Sequence, residues 1–223
     1  YNNSFGYASL YYNLTGVSNS AFGHNALNAN LSNNNSGFGR SALHYNTTGS
    51  ENTAVGGSSL VQNTTGNNNT AVGYNALDVN TTASNNTAVG KDALGALVTS
   101  GQCTAVGQAA GSGVTGGDNT CIGYAAGAYG TGTITSGGAN TIIGAYARIS
   151  SGGSSNELAI GRFVLGQGTA TATLGYNGVG ATISIDGSDT SWAAHSDERL
   201  KENITTSTAG LSFVNDLRPV TYT

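Results

Sequence analysis

A glycine returns every 16 or 17 residues along most of this chain, and the residues around it repeat with it. One longer step of 21 residues separates Gly123 from Gly144. A fixed period means that one structural unit is repeated and that each unit packs on its neighbours. The sequence therefore predicts an elongated stack, with function on its surface rather than in a central pocket. The ten glycines are Gly6, Gly23, Gly39, Gly56, Gly73, Gly90, Gly107, Gly123, Gly144 and Gly161.

Three other positions of the unit are nearly constant. Asparagine stands four positions before the glycine in eight units, and leucine stands four positions after it in seven units, from Leu10 to Leu165. The residue directly before the glycine is always apolar: Phe5, Phe22, Phe38, Val55, Val72, Val89, Val106, Ile122, Ile143 or Ile160. We expect this apolar column and the leucines to fill the coil. Thr53 shares a strand face with Val55 and is expected to point inward too.

Seventeen residues with two short apolar strands and two Gly/Asn corners fit one coil of a β-solenoid. The predicted fold is all-β, a parallel β-solenoid (β-roll) of about ten coils over residues 1–165. Gly56, Gly73 and Gly90 are expected at corners with positive φ or close backbone contact. Asn52, Asn69 and Asn86 are expected to form an amide ladder along the stack. Both roles are structural rather than ligand-binding.

Two large apolar residues in each coil make a thin core. Each contributes roughly 1.5–3 kcal/mol when fully buried, whereas ordering each backbone residue costs about 1–2 kcal/mol. The small residues two positions before the glycine, such as Ala54 and Ala71, would suit close approach by a second chain. We therefore expect several chains, three in number, to pack side by side as a homotrimer.

Composition excludes several classes of function. Charged residues are 8% of the chain and the net charge is −4, so no basic stripe for nucleic acid is present. No apolar run is long enough for membrane insertion. His24, His44 and His195 lack ligand spacing, so no metal or cofactor is expected. Cys103 and Cys121 are expected as free, buried thiols about 8 Å apart, beyond disulfide reach.

The period fails after Gly161, and polarity changes near the C-terminus. Residues 166–195 predict a β-rich connector with strands at 169–174 and 181–185, interleaved among three chains. Residues 196–223 predict short helices, with Ser196 as an N-cap and a second helix over 211–217. The chain starts at Tyr1 without methionine, so a fragment or a processed product is expected.

The strings NTAVGYNAL (69–77) and NTAVGKDAL (86–94) resemble the head repeats of trimeric autotransporter adhesins. They are also similar to repeats in tail-fibre proteins of phages and large viruses. The resemblance implies a trimeric parallel β-roll that contacts a host surface.

The segments SDERLKENI (196–204) and LSFVNDLRPVTY (211–222) resemble the start of the endosialidase-type intramolecular chaperone, an autoprotease carried by many phage tailspikes and fibres. This resemblance implies self-cleavage between Ser196 and Asp197, with Ser196 as the nucleophile and Lys201 as its base. Asp197, Glu198 and Asn203 would support that site. Without the resemblance, Ser196 is interpreted as a helix cap and Lys201 as a solvated lysine.

These features favour a structural fibre segment of a virion, involved in host attachment and matured by a self-cleaving chaperone. Its expected partners are tail or baseplate proteins and a host glycan or protein receptor. A bacterial trimeric adhesin at the cell surface is the alternative. A glycan-degrading tailspike is disfavoured because Glu51, Asp78, Asp92 and Asp118 lie in separate coils. Apart from self-cleavage, no enzymatic activity is expected. Surface tyrosines (Tyr11, Tyr12, Tyr45 and Tyr74) are either sugar contacts or simple corner residues.

Overall fold

The computed structural model describes residues 1–187 and the backbone of residues 193–194. The described part is all-β, with one 13-stranded sheet whose strands follow one another in chain order. Its strands are β1 (Asn3–Phe5), β2 (Ser20–Phe22), β3 (Ser36–Phe38), β4 (Thr53–Val55), β5 (Thr70–Val72), β6 (Thr87–Val89), β7 (Thr104–Val106), β8 (Thr120–Ile122), β9 (Thr141–Ile143), β10 (Leu158–Ile160), β11 (Thr171–Tyr176), β12 (Val179–Ser184) and β13 (Ala193–Ala194).

Parallel pairing joins each strand from β1 to β10 to the next, which confirms the predicted parallel β-solenoid. The register keeps equivalent residues side by side, so Thr53 pairs with Thr70 and Ala54 with Ala71. Each coil holds one three-residue strand, not the two apolar strands that were predicted. The segment after the glycine is a series of turns, with Asn75 and Leu77 at φ values of 54° and 52°.

The strand orientation is opposite to the prediction. From β2 to β10, the middle residue of each strand points into the coil, so Ala54, Ala71 and Ala88 are fully buried. Val55 before the glycine is exposed, and Thr53 is only half-buried. Adjacent side chains of a strand point to opposite faces, and only the small residue faces inward. The expected core column is therefore on the outside, and the small residues form no second interface.

The core receives its large side chains from the turn that faces the strand. Leu27, Leu43, Leu60, Leu77 and Leu94 are fully buried there. Since these leucines occupy the space opposite strands β2 to β6, only alanine-sized residues fit between the two walls there, whereas Ile142 of β9 is fully buried. Leu165 departs from its predicted place. It is half-buried in an isolated bridge to Arg148, while Val164 is buried in the core.

The fixed glycines are required both by backbone conformation and by close contact. Gly73 has φ of 139°, and a Cβ at this position would lie 2.5 Å from the carbonyl oxygen of Gly90. Such a φ is accessible essentially to glycine alone. The glycine column thus brings successive corners into direct backbone contact.

The connector continues the same sheet. Strand β11 pairs in parallel with β10, then turns at Asn177 and Gly178 to pair antiparallel with β12. Both strands overlap the predicted segments within two residues. Interleaving with other chains stays a prediction. The predicted helices at 196–204 and 211–217 lie outside the described residues. Among the described residues, no helix is long and apolar enough to cross a membrane.

We predict that Gly73→Ala lowers the free energy of unfolding by about 3 kcal/mol or more, because it adds backbone strain to a steric clash. The matched control is Gly57→Ala. A Cβ at Gly57 would meet only the Tyr74 ring, at 3.4 Å. Urea denaturation followed by circular dichroism measures both variants. Equal stability of the two would refute the proposed role of the glycine column.

Candidate functional site

The outward strand face carries a continuous apolar column, which we call the flank. It consists of the residues directly before the fixed glycines, one on each of the ten strands β1 to β10. Phe22 and Phe38 stack with ring centroids 5.2 Å apart, and Val55, Val106 and Ile122 are each 38% exposed. Parallel in-register pairing places these side chains one above another along the stack. The flank is therefore an extended apolar surface of the single chain.

Uncharged residues accompany the flank on the same face. From β2 to β9, the first residue of each strand is serine or threonine, and it is half-buried. A soluble monomer rarely exposes a large contiguous apolar patch, and such a patch marks an interaction surface. Because the strand face of β2 to β9 carries no formal charge, a second copy of the same face would meet it without like-charge repulsion.

The asparagines four positions before the glycine connect successive coils. Asn52 Oδ1 accepts a hydrogen bond from the Asn69 N–H at 2.9 Å, and Asn52 Nδ2 donates to the Gly66 carbonyl at 2.8 Å. Asn69 binds the next coil in the same way, through Asn86 N–H at 3.1 Å and the Ala83 carbonyl at 2.9 Å. Most of these bonds therefore run from side chain to backbone. The expected side-chain ladder is formed in part, because Asn86 Nδ2 donates to Asn69 Oδ1 at 3.0 Å and Asn140 Nδ2 donates to Asn119 Oδ1 at 3.0 Å.

A longer side-chain ladder lies in a second asparagine column that sequence reasoning missed. Asn46 donates to Asn30 Oδ1 at 2.7 Å, Asn63 to Asn46 at 2.7 Å, and Asn80 to Asn63 at 2.8 Å. The available signal was an asparagine seven positions after each of the first five glycines, which was interpreted only as a turn residue. The next residue in the column is Leu97. Asn80 Oδ1 is consequently buried without a hydrogen-bond partner in the described residues.

Both cysteines lie in the described part, and both are free and buried, as predicted. Cys103 occupies a position of the first asparagine column, and its Sγ lies 3.4 Å from the Gly116 carbonyl oxygen. Cys121 occupies the alanine column. Burial raises the pKa of Cys103, and it raises the pKa of Cys121 to about 12. Neither thiol is activated for nucleophilic chemistry.

Acidic side chains do not form a paired catalytic site in the described coils. Asp92 makes a salt bridge with Lys91 at 3.3 Å. Burial, with a smaller contribution from the negative charge of Asp92, raises the pKa of Asp78. Glu157 is buried at the end of the first asparagine column, where it accepts a hydrogen bond from the Ser150 N–H at 3.1 Å. These positions do not by themselves suggest glycoside hydrolysis.

The surface aromatic residues and histidines have varied environments. Tyr11 and Tyr12 pack edge to face at 4.8 Å, and His44 packs edge to face with Tyr45 at 4.3 Å. His24 stacks on Tyr7 at 5.3 Å. All four tyrosines singled out from the sequence are more than half exposed.

The predicted self-cleavage residues lie outside the described residues. These are Ser196, Asp197, Glu198, Lys201 and Asn203; His195, for which no role in cleavage was predicted, lies outside them too. Their roles therefore stay predictions.

Comparison with known families gives one match. Residues 196–223 match the family model described as the chaperone of endosialidase. Neither the curated proteins nor the solved structures contain a significant match to the chain. The family match and the β-solenoid together fit a protein of the phage tail-fibre type with a C-terminal chaperone segment.

We predict opposite effects for two changes in the first asparagine column. Asn69→Ala removes the acceptor of both the Asn86 N–H and Asn86 Nδ2, and each such loss costs roughly 1–3 kcal/mol. Cys103→Asn supplies an amide oxygen that can accept from Asn119 N–H, and we expect a gain of about 1 kcal/mol. Urea denaturation measures both changes.

Thr82→Ala on an exposed turn is the control for these measurements. An Asn69→Ala variant as stable as this control would contradict the stabilising role assigned to the first asparagine column.

Proposed function

We propose that this chain is a segment of a homotrimeric viral fibre that takes part in host attachment. The observation that carries the proposal is the flank, an uninterrupted apolar surface along a parallel β-solenoid. The family match at 196–223 supports a virion fibre with a C-terminal chaperone over a bacterial surface adhesin. Tail or baseplate proteins would hold the fibre in the particle, and a host receptor would bind its surface.

Two further copies of this chain fit the flank better than an unrelated partner does. The flank extends over all ten three-residue strands, and its side chains repeat at the spacing of the coils. A parallel copy presents the same residue types at the same spacing, so the two columns match along their whole length. In a closed assembly with rotational symmetry, each such face is covered by an identical neighbouring chain. The resemblance of residues 69–77 and 86–94 to trimeric adhesin heads supports three chains.

Trimer formation through the flank would also explain how a narrow solenoid is stabilised. In the single chain, the larger apolar side chains of the strands remain partly in water, and only alanine-sized residues are enclosed beside them. Burying apolar surface contributes about 25 cal/mol for each Å² removed from water. Association therefore supplies hydrophobic stabilisation that the coil interior lacks.

The C-terminal segment would act in maturation rather than in attachment. In the proposed cleavage, the Ser196 hydroxyl oxygen bonds to the carbonyl carbon of the Ser196–Asp197 peptide bond while Lys201 accepts the hydroxyl proton. The C–N bond to Asp197 breaks, Lys201 returns the proton to the departing amine, and water hydrolyses the resulting ester to the free carboxylate of Ser196. Such a lysine serves as a base when its surroundings lower its pKa. Release of the segment would leave the assembled shaft in the particle.

We predict that Val55→Asp and Val106→Asp each dissociate the trimer, because they place unpaired charges in an apolar interface. Both side chains are 38% exposed in the single chain, so the coil itself should remain folded. Thr82→Asp carries the same charge onto an exposed turn and should leave the trimer intact. Sedimentation equilibrium gives the chain number. A monomeric unsubstituted protein would refute the proposed assembly.

For maturation, we predict that Ser196→Ala abolishes cleavage, whereas Ser207→Ala in the same segment does not. Mass spectrometry of the purified protein should find a product that ends at Ser196 and a second that begins at Asp197. An intact unsubstituted protein, or a cut at another bond, would contradict the assigned site.

A further inference from the structure

Two neighbouring depressions lie on the turn side of the first five coils, and together we call them the turn-side groove. Their volumes are about 400 and 540 Å³. The first is lined by residues of coils one to three, including Tyr11, Tyr12 and Asn28. The second is lined by residues of coils two to five, including Tyr45, Gln62 and Thr64. No flank residue lines either depression, so occupation of the groove would not compete with chain association through the flank.

Aromatic side chains occur at intervals along this groove. Tyr12 and Tyr45 stand at equivalent positions of coils one and three, six residues after Gly6 and Gly39. With about 4.8 Å between coils, the two residues are ~9.6 Å apart along the stack. Each has an aromatic neighbour packed edge to face, Tyr11 at 4.8 Å and His44 at 4.3 Å. The paired rings form two apolar walls at a spacing comparable to the length of a disaccharide.

Polar groups with free hydrogen-bonding capacity lie beside these rings. The Thr47 hydroxyl donates to the Thr64 carbonyl at 2.9 Å, and the Thr64 hydroxyl donates to the Thr81 carbonyl at 3.0 Å. A hydroxyl that donates one bond keeps lone pairs that can accept others. Asn28 Nδ2 donates to the Ala8 carbonyl at 2.8 Å, which directs the amide of this side chain while its oxygen remains an acceptor. The groove thus offers hydrogen-bond acceptors next to aromatic rings.

The lining is free of formally charged side chains. No aspartate, glutamate, lysine or arginine lines either of the two depressions. A carboxylate, sulfate or phosphate ligand would therefore find no lysine or arginine to pair with; the basic side chain of the lining is His44, whose Nδ1 lies 3.2 Å from the Asn25 carbonyl oxygen. The aromatic cluster near the other end of the solenoid differs in this respect. There Tyr146 stacks on Phe163 at 4.6 Å, and Arg162 lies over the same Phe163 ring at 4.7 Å.

We propose that the turn-side groove binds an extended, uncharged oligosaccharide aligned with the axis of the solenoid. The apolar faces of its sugar rings would pack on the Tyr12 and Tyr45 rings, while its hydroxyl groups would donate to the threonine and asparagine oxygens. Apolar rings with a few placed polar groups are what fixes a small ligand in a site. The inference rests on the proposed attachment function and names the chemistry of the receptor.

The test is a glycan array printed with neutral hexasaccharides of glucose, mannose, galactose and their N-acetylated amino sugars, beside uronate-containing and sulfated hexasaccharides. The unsubstituted protein should bind at least one neutral glycan. Tyr12→Ala and Tyr45→Ala should each weaken that binding about tenfold or more, which corresponds to about 1.4 kcal/mol. Tyr74→Ala is the matched control because Tyr74 is 56% exposed, close to the 59% of Tyr12 and 54% of Tyr45, and lies outside the groove.

Several outcomes would overturn the inference. Binding to acidic glycans only, no binding to any neutral glycan, or equal losses in Tyr74→Ala and Tyr12→Ala would each do so. Thermal unfolding of the variants confirms that each is folded. Adsorption to host cells and the chain number are measured on the same samples. If the protein is a trimer that adsorbs to cells but binds no neutral glycan, the proposed function is retained and only the proposed role of the groove is rejected. A monomer that fails to adsorb removes the proposed function.

Discussion

Hydrogen bonds between equivalent positions of successive coils hold this structure in register. The asparagine columns supply many of them, because an amide offers a donor and an acceptor to the coil above or below. Asn52 and Asn69 use both groups on the next backbone. Asn46 and Asn63 link side chain to side chain. These amides are completely buried, and burial without partners would cost roughly 1–3 kcal/mol for each group. A shift of register would therefore break many bonds together.

The same register determines what the surface offers. The leucines and the asparagine columns occupy the interior, so strands β2 to β6 contribute only alanine or glycine to it. The larger valine, isoleucine and phenylalanine side chains then point outward in one column. An apolar column with an uncharged neighbouring face favours association with identical chains. The turn side remains free for a ligand, and its aromatic and hydroxyl groups are arranged along the same axis. One repeat thus generates two separate surfaces, which we propose serve assembly and recognition.

The sequence was informative where a residue type has a single physical explanation. The recurring glycines predicted close corners, and Gly73 has a φ that only glycine adopts readily. The predicted orientation of the strands was wrong. Alternation of side chains along a strand defines two faces, but it does not show which face points into the coil. Only the three-dimensional position of the opposite wall, where Leu77 is buried, determines that Ala71 rather than Val72 faces inward. The second asparagine column was visible in turn segments such as NTTG at 46–49 and 63–66. However, a turn asparagine and a buried ladder asparagine have the same sequence pattern. The proposed roles of Ser196 and Lys201 rest only on the sequence motif and the family match.

The most direct test of this account is side-chain amide hydrogen exchange, measured by NMR on the intact protein. The account predicts that the Nδ2 protons of Asn46, Asn63 and Asn80 exchange slowly, on the timescale of unfolding, because they are buried in ladder bonds. Exposed asparagines such as Asn177 should exchange at the rate of a free amide in the same sample. Fast exchange at all three ladder positions would contradict the account, since the coils could not then be held together by these groups.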